Sequence, residues 1–143
     1  RDRKQGYLDA LIERGIPVRD ELIVEGDWLE ASGYLSTQRL LAQEVDAIFA
    51  ASDKMAIGAL RALREANRRV PDDVAVVGFD DLDEASTTNP PLTTVRQPIR
   101  RVGEMAVENL LDALATGESA AQRLILPTQL VIRGSCGALA PDT

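Results

Sequence analysis

The chain has 143 residues, enough to bury the core of one domain. Its 45% hydrophobic content excludes a disordered chain, and its net charge of −7, with scattered basic residues, makes it a poor binder of phosphate backbones. With no histidine, it lacks the commonest general base, the usual zinc ligand and every Ser-His or Cys-His arrangement.

Residues 1–14 carry Tyr7, Leu8, Leu11 and Ile12 on one face, which predicts a helix ended by Gly15. "ELIVEGDW" (21–28) reads as a short strand entering a turn, and "EASGYLSTQRLLAQ" (30–43) as a helix. "DAIFAAS" (46–52) is a second strand. The helix "DKMAIGALRALREA" (53–66) follows, with Ala56, Ala59, Leu60 and Leu63 at spacings of three and four. The turn signal "PDD" announces a third strand, "VAVVGF" (74–79). This alternation predicts an α/β fold with a parallel sheet flanked by helices. Paired prolines in "TTNPPLTTVRQP" (87–98) prevent helix and give an extended link. Beyond Pro98, the residues Ile99, Val102, Ala106, Val107, Leu110, Leu111 and Leu114 form one apolar stripe on a helix closed by Gly117. "RLILPTQLVIRG" (123–134) reads as a strand pair or one long strand broken at Pro127.

No apolar stretch approaches the roughly 20 residues that cross a bilayer. The opening "RDRKQGYLDA" shows no secretory signal, so no membrane partner is expected. The single cysteine, Cys136, cannot form an internal disulfide and suits a reducing, cytoplasmic setting.

Ligands of open parallel sheets bind beyond the carboxyl ends of the strands. Trp28 lies beyond the first predicted strand, Ser52 and Asp53 close the second, and Asp80 and Asp81 close the third. These residue types suit a neutral polyhydroxyl ligand: a carboxylate accepts from adjacent hydroxyls, and an indole covers a sugar face or stacks on a base. Arg3 stands near a helix start, where a cation opposes the helix dipole by about 0.3–1 kcal/mol.

Each residue also has a plainer reading. Trp28 can be core packing, Ser52 or Asp53 a helix N-cap, and Arg3 surface charge within "RDRK". Asp81, Asp83 and Glu84 read as a solvated acidic turn. Two adjacent acids point apart and no further ligand type is nearby, so no metal and no cofactor is expected. A small enzyme using Asp80 or Asp81 as base lacks an activated nucleophile to go with it.

The run from "DAIFAASDKMAIGAL" through "VAVVGFDD" and "PPLTTVRQP", with "RKQGYLDAL" and "EGDW" upstream and "LPTQLVIRGS" downstream, resembles the lactose-repressor (LacI/GalR) family of transcription regulators. The resemblance covers nearly the whole chain but only the later part of a family member. It implies an incomplete, periplasmic-binding-protein-like (type I) lobe whose first strand is missing. Residues 1–92 would be the C-terminal lobe and 93–97 a crossover linker. Residues 98–127 would be a helix and strand of the N-terminal lobe, and 128–143 a return strand and tail.

The resemblance places effector contacts at Arg3, Trp28, Ser52 and Asp80, with Asp53 beside them and Gln97 near the crossing. Ser52 stands where relatives often carry asparagine. The implied partners are a small-molecule effector (a sugar, or a nucleoside or purine), a second copy in a homodimer, and operator DNA through a missing N-terminal head. A periplasmic sugar-binding protein of a transporter is the alternative. The apolar stripe after Pro98 would lack most of its sheet, so another copy or a rearranged 98–134 segment is expected to cover it.

Overall fold

The computed structural model describes residues 2–117 and 124–138. Helix α1 (Asp2–Glu13) leads through a 3-10 turn at Asp20–Leu22 to α2 (Glu30–Leu40), β1 (Ala47–Phe49) and α3 (Asp53–Glu65). Then come β2 (Ala75–Asp80), a 3-10 turn at Asp83–Ser86, β3 (Thr93–Arg96), α4 (Ile99–Thr116), β4 (Gln129–Val131) and a final 3-10 turn at Gly134–Cys136.

The strands form one sheet in the order β1-β2-β3-β4. β1, β2 and β3 run parallel, with Ala47 opposite Ala75 and Val77 opposite Thr93. β4 is antiparallel to β3, with Thr94 opposite Val131. The core lies between α3 and the sheet: Ile48, Ala56, Leu60, Leu63, Val74, Val76, Ala85 and Leu92 are buried together. α2 packs on α3 where Gly33 and Gly58 meet it, since a Cβ on Gly33 would lie 2.1 Å from Met55 O and one on Gly58 2.1 Å from Glu30 O. Only glycine lets the two backbones approach so closely.

The α/β alternation is present as read, with three corrections. First, the 21–28 strand does not form. Asp20–Leu22 is a 3-10 turn, and a cavity of about 630 Å³, lined by Leu22–Gly26 and Ala47–Ala51, separates the following stretch from β1. An extended segment without a ladder neighbour is not a strand. Second, the last segment pairs only after Pro127, as the antiparallel β4, and Arg123 lies outside the described residues together with the tail 139–143. Third, four residues of the link join the sheet as β3.

Pro98 caps α4, and Gly117 ends it in the left-handed region at φ 70°. The stripe of α4 is not covered by the described residues: Ile99, Val102, Val107, Leu110 and Leu111 are exposed, and Leu114 retains 73% of its surface. Residues 124–128 run beside the helix and form a groove with it, yet Leu124 and Ile125 are themselves exposed.

Candidate functional site

β1 and β2 end on one rim, and the groups that follow them meet there. Arg3, from the first turn of α1, donates through Nη1 to Ala51 O and through Nη2 to Asp80 Oδ1 at 3.2 Å. Its guanidinium lies 3.9 Å from the Phe79 ring centre and 5.1 Å from that of Trp28, within cation–π range of both. From the end of β3, Gln97 Nε2 donates to the same oxygen, Asp80 Oδ1, at 2.8 Å. Asp80 Oδ2 accepts from no described residue, and the side chain is 27% exposed. Trp28 is 52% exposed, so its ring is not core packing.

Ser52 is the N-cap of α3, its Oγ accepting from Met55 N at 3.2 Å while donating to Trp28 O at 3.4 Å. The cap therefore ties the indole-bearing loop to the end of β1. The structure thus brings Arg3, Trp28, Ser52, Asp80 and Gln97 together.

Asp53 is not among them. It is 0% exposed and turns beneath the rim, where Oδ1 accepts from Thr94 Oγ1 at 2.5 Å and Oδ2 from Leu82 N at 2.8 Å. A Cβ on Gly78 would come within 2.2 Å of this carboxylate, so the strand needs glycine where Asp53 packs against it. Asp53 carries the 80–82 turn from below; its place in the sequence, one residue after Ser52, concealed that inward direction.

Asp81 is the other correction. It does not face water: its side chain is 8% exposed and paired to Arg96 and Arg133. Burial pushes its carboxyl upward, but the hydrogen bonds from Arg133 and Arg96 outweigh that and hold it below the ordinary carboxylate range. Both arginines are remote in sequence, which hid the pairing. Phe79, which backs the Arg3 guanidinium, was also missed, although its place between Gly78 and Asp80 at a strand end was a usable signal.

The backbone is strained at this rim. Among the described residues four non-glycine residues have positive φ: Trp28 at 73° and Asp80 at 120° lie at this rim, Asp81 at 59° directly follows it, and Asn67 at 56° lies elsewhere. Such conformations cost on the order of 1–3 kcal/mol each and concentrate at working sites. The large cavity reaches the rim at Arg3, Trp28 and Ala51 but follows the open edge of β1 and does not include Asp80 or Gln97. The polar convergence, not the cavity volume, therefore locates the site.

The family model of a periplasmic binding protein-like domain matches residues 1–136. The chain belongs to that family. Within it, the relatives are LacI-type regulators, as the sequence resemblance implied. The HTH-type transcriptional regulator CelR of Thermobifida fusca is 43% identical over 136 residues, 94% of this chain and 40% of CelR. The solved CelR–cellobiose complex superposes with a TM-score of 0.89, covering 93% of this chain and 41% of that one. The repressor PurR of Yersinia pestis (strain Pestoides F) is 42% identical over 135 residues, 93% of this chain and 40% of PurR. A LacI-type transcription regulator from Bifidobacterium animalis subsp. lactis DSM 10140 superposes with a TM-score of 0.88 at 37% identity, covering 95% of this chain and 50% of that one. The chain thus spans about 40% of the length of the curated relatives it matches. No described helix is long and apolar enough to cross a membrane.

Proposed function

We propose that the chain is the effector-sensing part of a LacI-type DNA-binding transcription repressor, cytoplasmic and homodimeric, with a sugar as its effector. In this reading residues 1–92 belong to the C-terminal lobe, 93–97 cross over, 98–127 belong to the N-terminal lobe and 128–143 return. Operator contact comes from a head outside these residues, in keeping with the HTH-type naming of the relatives.

One observation carries the reading. Arg3 and Gln97 both converge on Asp80 Oδ1 beside an exposed indole, leaving Oδ2 open to a guest. A carboxylate acceptor, a guanidinium donor and an aromatic face together suit vicinal hydroxyls on a ring with an apolar side. The rim offers binding groups and, among the described residues, no activated nucleophile, which favours sensing over catalysis. Ligand capture would bias lobe closure only through its differential affinity for the open and closed states. The likeness to a regulator seen with cellobiose supports a sugar, and the likeness to PurR keeps purines as the second class to try.

The test is calorimetry on the full-length protein with cellobiose, ribose and hypoxanthine. One of them is expected to bind, and Asp80→Asn is expected to abolish that binding while operator affinity persists. Binding of none, or unchanged binding by the variant, would remove the reading.

A further inference from the structure

Asp80 and Asp81 are neighbours in the chain, yet only the first belongs to the ligand rim. Asp81 receives two guanidinium groups, one on each oxygen: Arg96 Nε meets Oδ2 at 2.5 Å and Arg133 Nη2 meets Oδ1 at 2.7 Å. The two arginines lie on different passages of chain. Arg96 ends β3, immediately before Gln97, Pro98 and α4, whereas Arg133 follows β4 on the way back.

Arg133 is also seated by the sheet itself, its Nη1 donating to Leu92 O at 2.8 Å and its amide to Thr93 Oγ1 at 2.8 Å. Otherwise the outgoing and returning passages share a short ladder, with Thr94 opposite Val131, Val95 opposite Leu130 and Arg96 opposite Gln129. The Asp81 side chain is 8% exposed while Arg96 is 51% and Arg133 19% exposed, so the carboxylate is the buried member of the trio. Its two oxygens tie both passages to one point. Arg96 directly precedes Gln97, whose amide meets Asp80 at 2.8 Å, so the position of one sets the reach of the other.

We propose that Asp81 is a positioning residue that clasps the outgoing passage 93–98 to the returning passage 128–133 and thereby holds Gln97 on Asp80. The proposal rests on the reading of these passages as the crossings between lobes. One peptide bond then joins a carboxylate on the ligand side to a carboxylate on the hinge side. A shift of Asp80 on ligand contact reaches both crossings without an intervening residue.

The test is hydrogen–deuterium exchange by mass spectrometry on the full-length protein, without ligand or DNA. Asp81→Asn is expected to speed exchange about tenfold or more in both 93–97 and 128–133, while α3 stays within about twofold. Asp81→Glu, which keeps both ion pairs, is expected to return both passages to within about threefold of the starting protein. Unchanged exchange in either passage of Asp81→Asn, or no rescue by Asp81→Glu, overturns the clasp. Arg96→Gln and Arg133→Gln cut one arm each and carry the test if Asp81→Asn does not fold. Each is expected to loosen its own passage more than the other, and loosening of neither overturns the proposal. Because neither sugar nor operator enters the measurement, an error in the effector or DNA reading leaves its outcome untouched.

Discussion

Replacing Asp53 by alanine separates a supporting carboxylate from a ligand contact. The native side chain is fully buried and accepts two hydrogen bonds, from Thr94 Oγ1 and Leu82 N. Alanine leaves both donors without a partner, at about 1–3 kcal/mol for each buried group. The Thr94 hydroxyl can rotate to recover part of its share, so the expected loss is about 3–4 kcal/mol, a large fraction of the roughly 5–15 kcal/mol of a typical domain. Asparagine keeps the shape: its carbonyl can serve Leu82 N while its amide donates to Thr94 Oγ1, for an expected loss of about 1–2 kcal/mol. Urea unfolding of the chain, followed by circular dichroism, measures both. Equal losses within about 0.5 kcal/mol would refute the supporting role. So would an Asp53→Ala protein that costs under about 1 kcal/mol yet fails to bind ligand, which would return Asp53 to the rim.

Two further expectations follow from charge and from apolar surface. Asp81 is held below the ordinary carboxylate value, about 3.9, so its contribution is fully present above that value and disappears as pH falls through the lower folded value. Stability measured between about pH 5 and 2 is expected to fall less steeply in Asp81→Asn, and an unchanged acid slope would contradict the pairing. The uncovered face of α4 is expected to make the 143-residue chain self-associate. Light scattering is expected to show larger species with rising concentration and a return to monomer in the double variant Leu110→Glu, Leu114→Glu. A monomer at every concentration in the unaltered chain would contradict this.

Local rules made much of this molecule legible. The spacing of Ala56, Ala59, Leu60 and Leu63 marked α3, and the apolar run ending at Asp80 marked β2, because helix and strand periods are written in neighbouring residues. The rule that ligands gather beyond strand ends then grouped Ser52 and Asp80, whereas Trp28 was placed beside them through a predicted strand that does not form. Arg3 was different: from position alone it was ordinary surface charge, and the family resemblance singled it out. What failed depended on distant partners. Asp81 looked solvated because Arg96 and Arg133, 15 and 52 residues away, are invisible to local pattern. Asp53 looked like a contact because nothing near it discloses Thr94, 41 residues on. Strand formation at 21–28 needed a ladder neighbour that pattern alone does not supply, and the antiparallel sense of β4 was equally non-local. Ser135 carries no local signal, although its buried hydroxyl donates to Val76 O at 2.6 Å and accepts from Thr93 N at 2.8 Å, joining the turn after β4 to two strands.

The three-way seating of Arg3 changes how capture should proceed. A free arginine side chain samples many rotamers, worth about 2 kcal/mol of entropy. Here that freedom is already lost on folding, to the Ala51 carbonyl, the Asp80 carboxylate and the Phe79 ring. An incoming molecule therefore meets a stiff, ready-made docking tooth and does not have to tame a mobile one. Affinity should accordingly depend more on fit to a fixed shape than on the protein adjusting to whatever arrives.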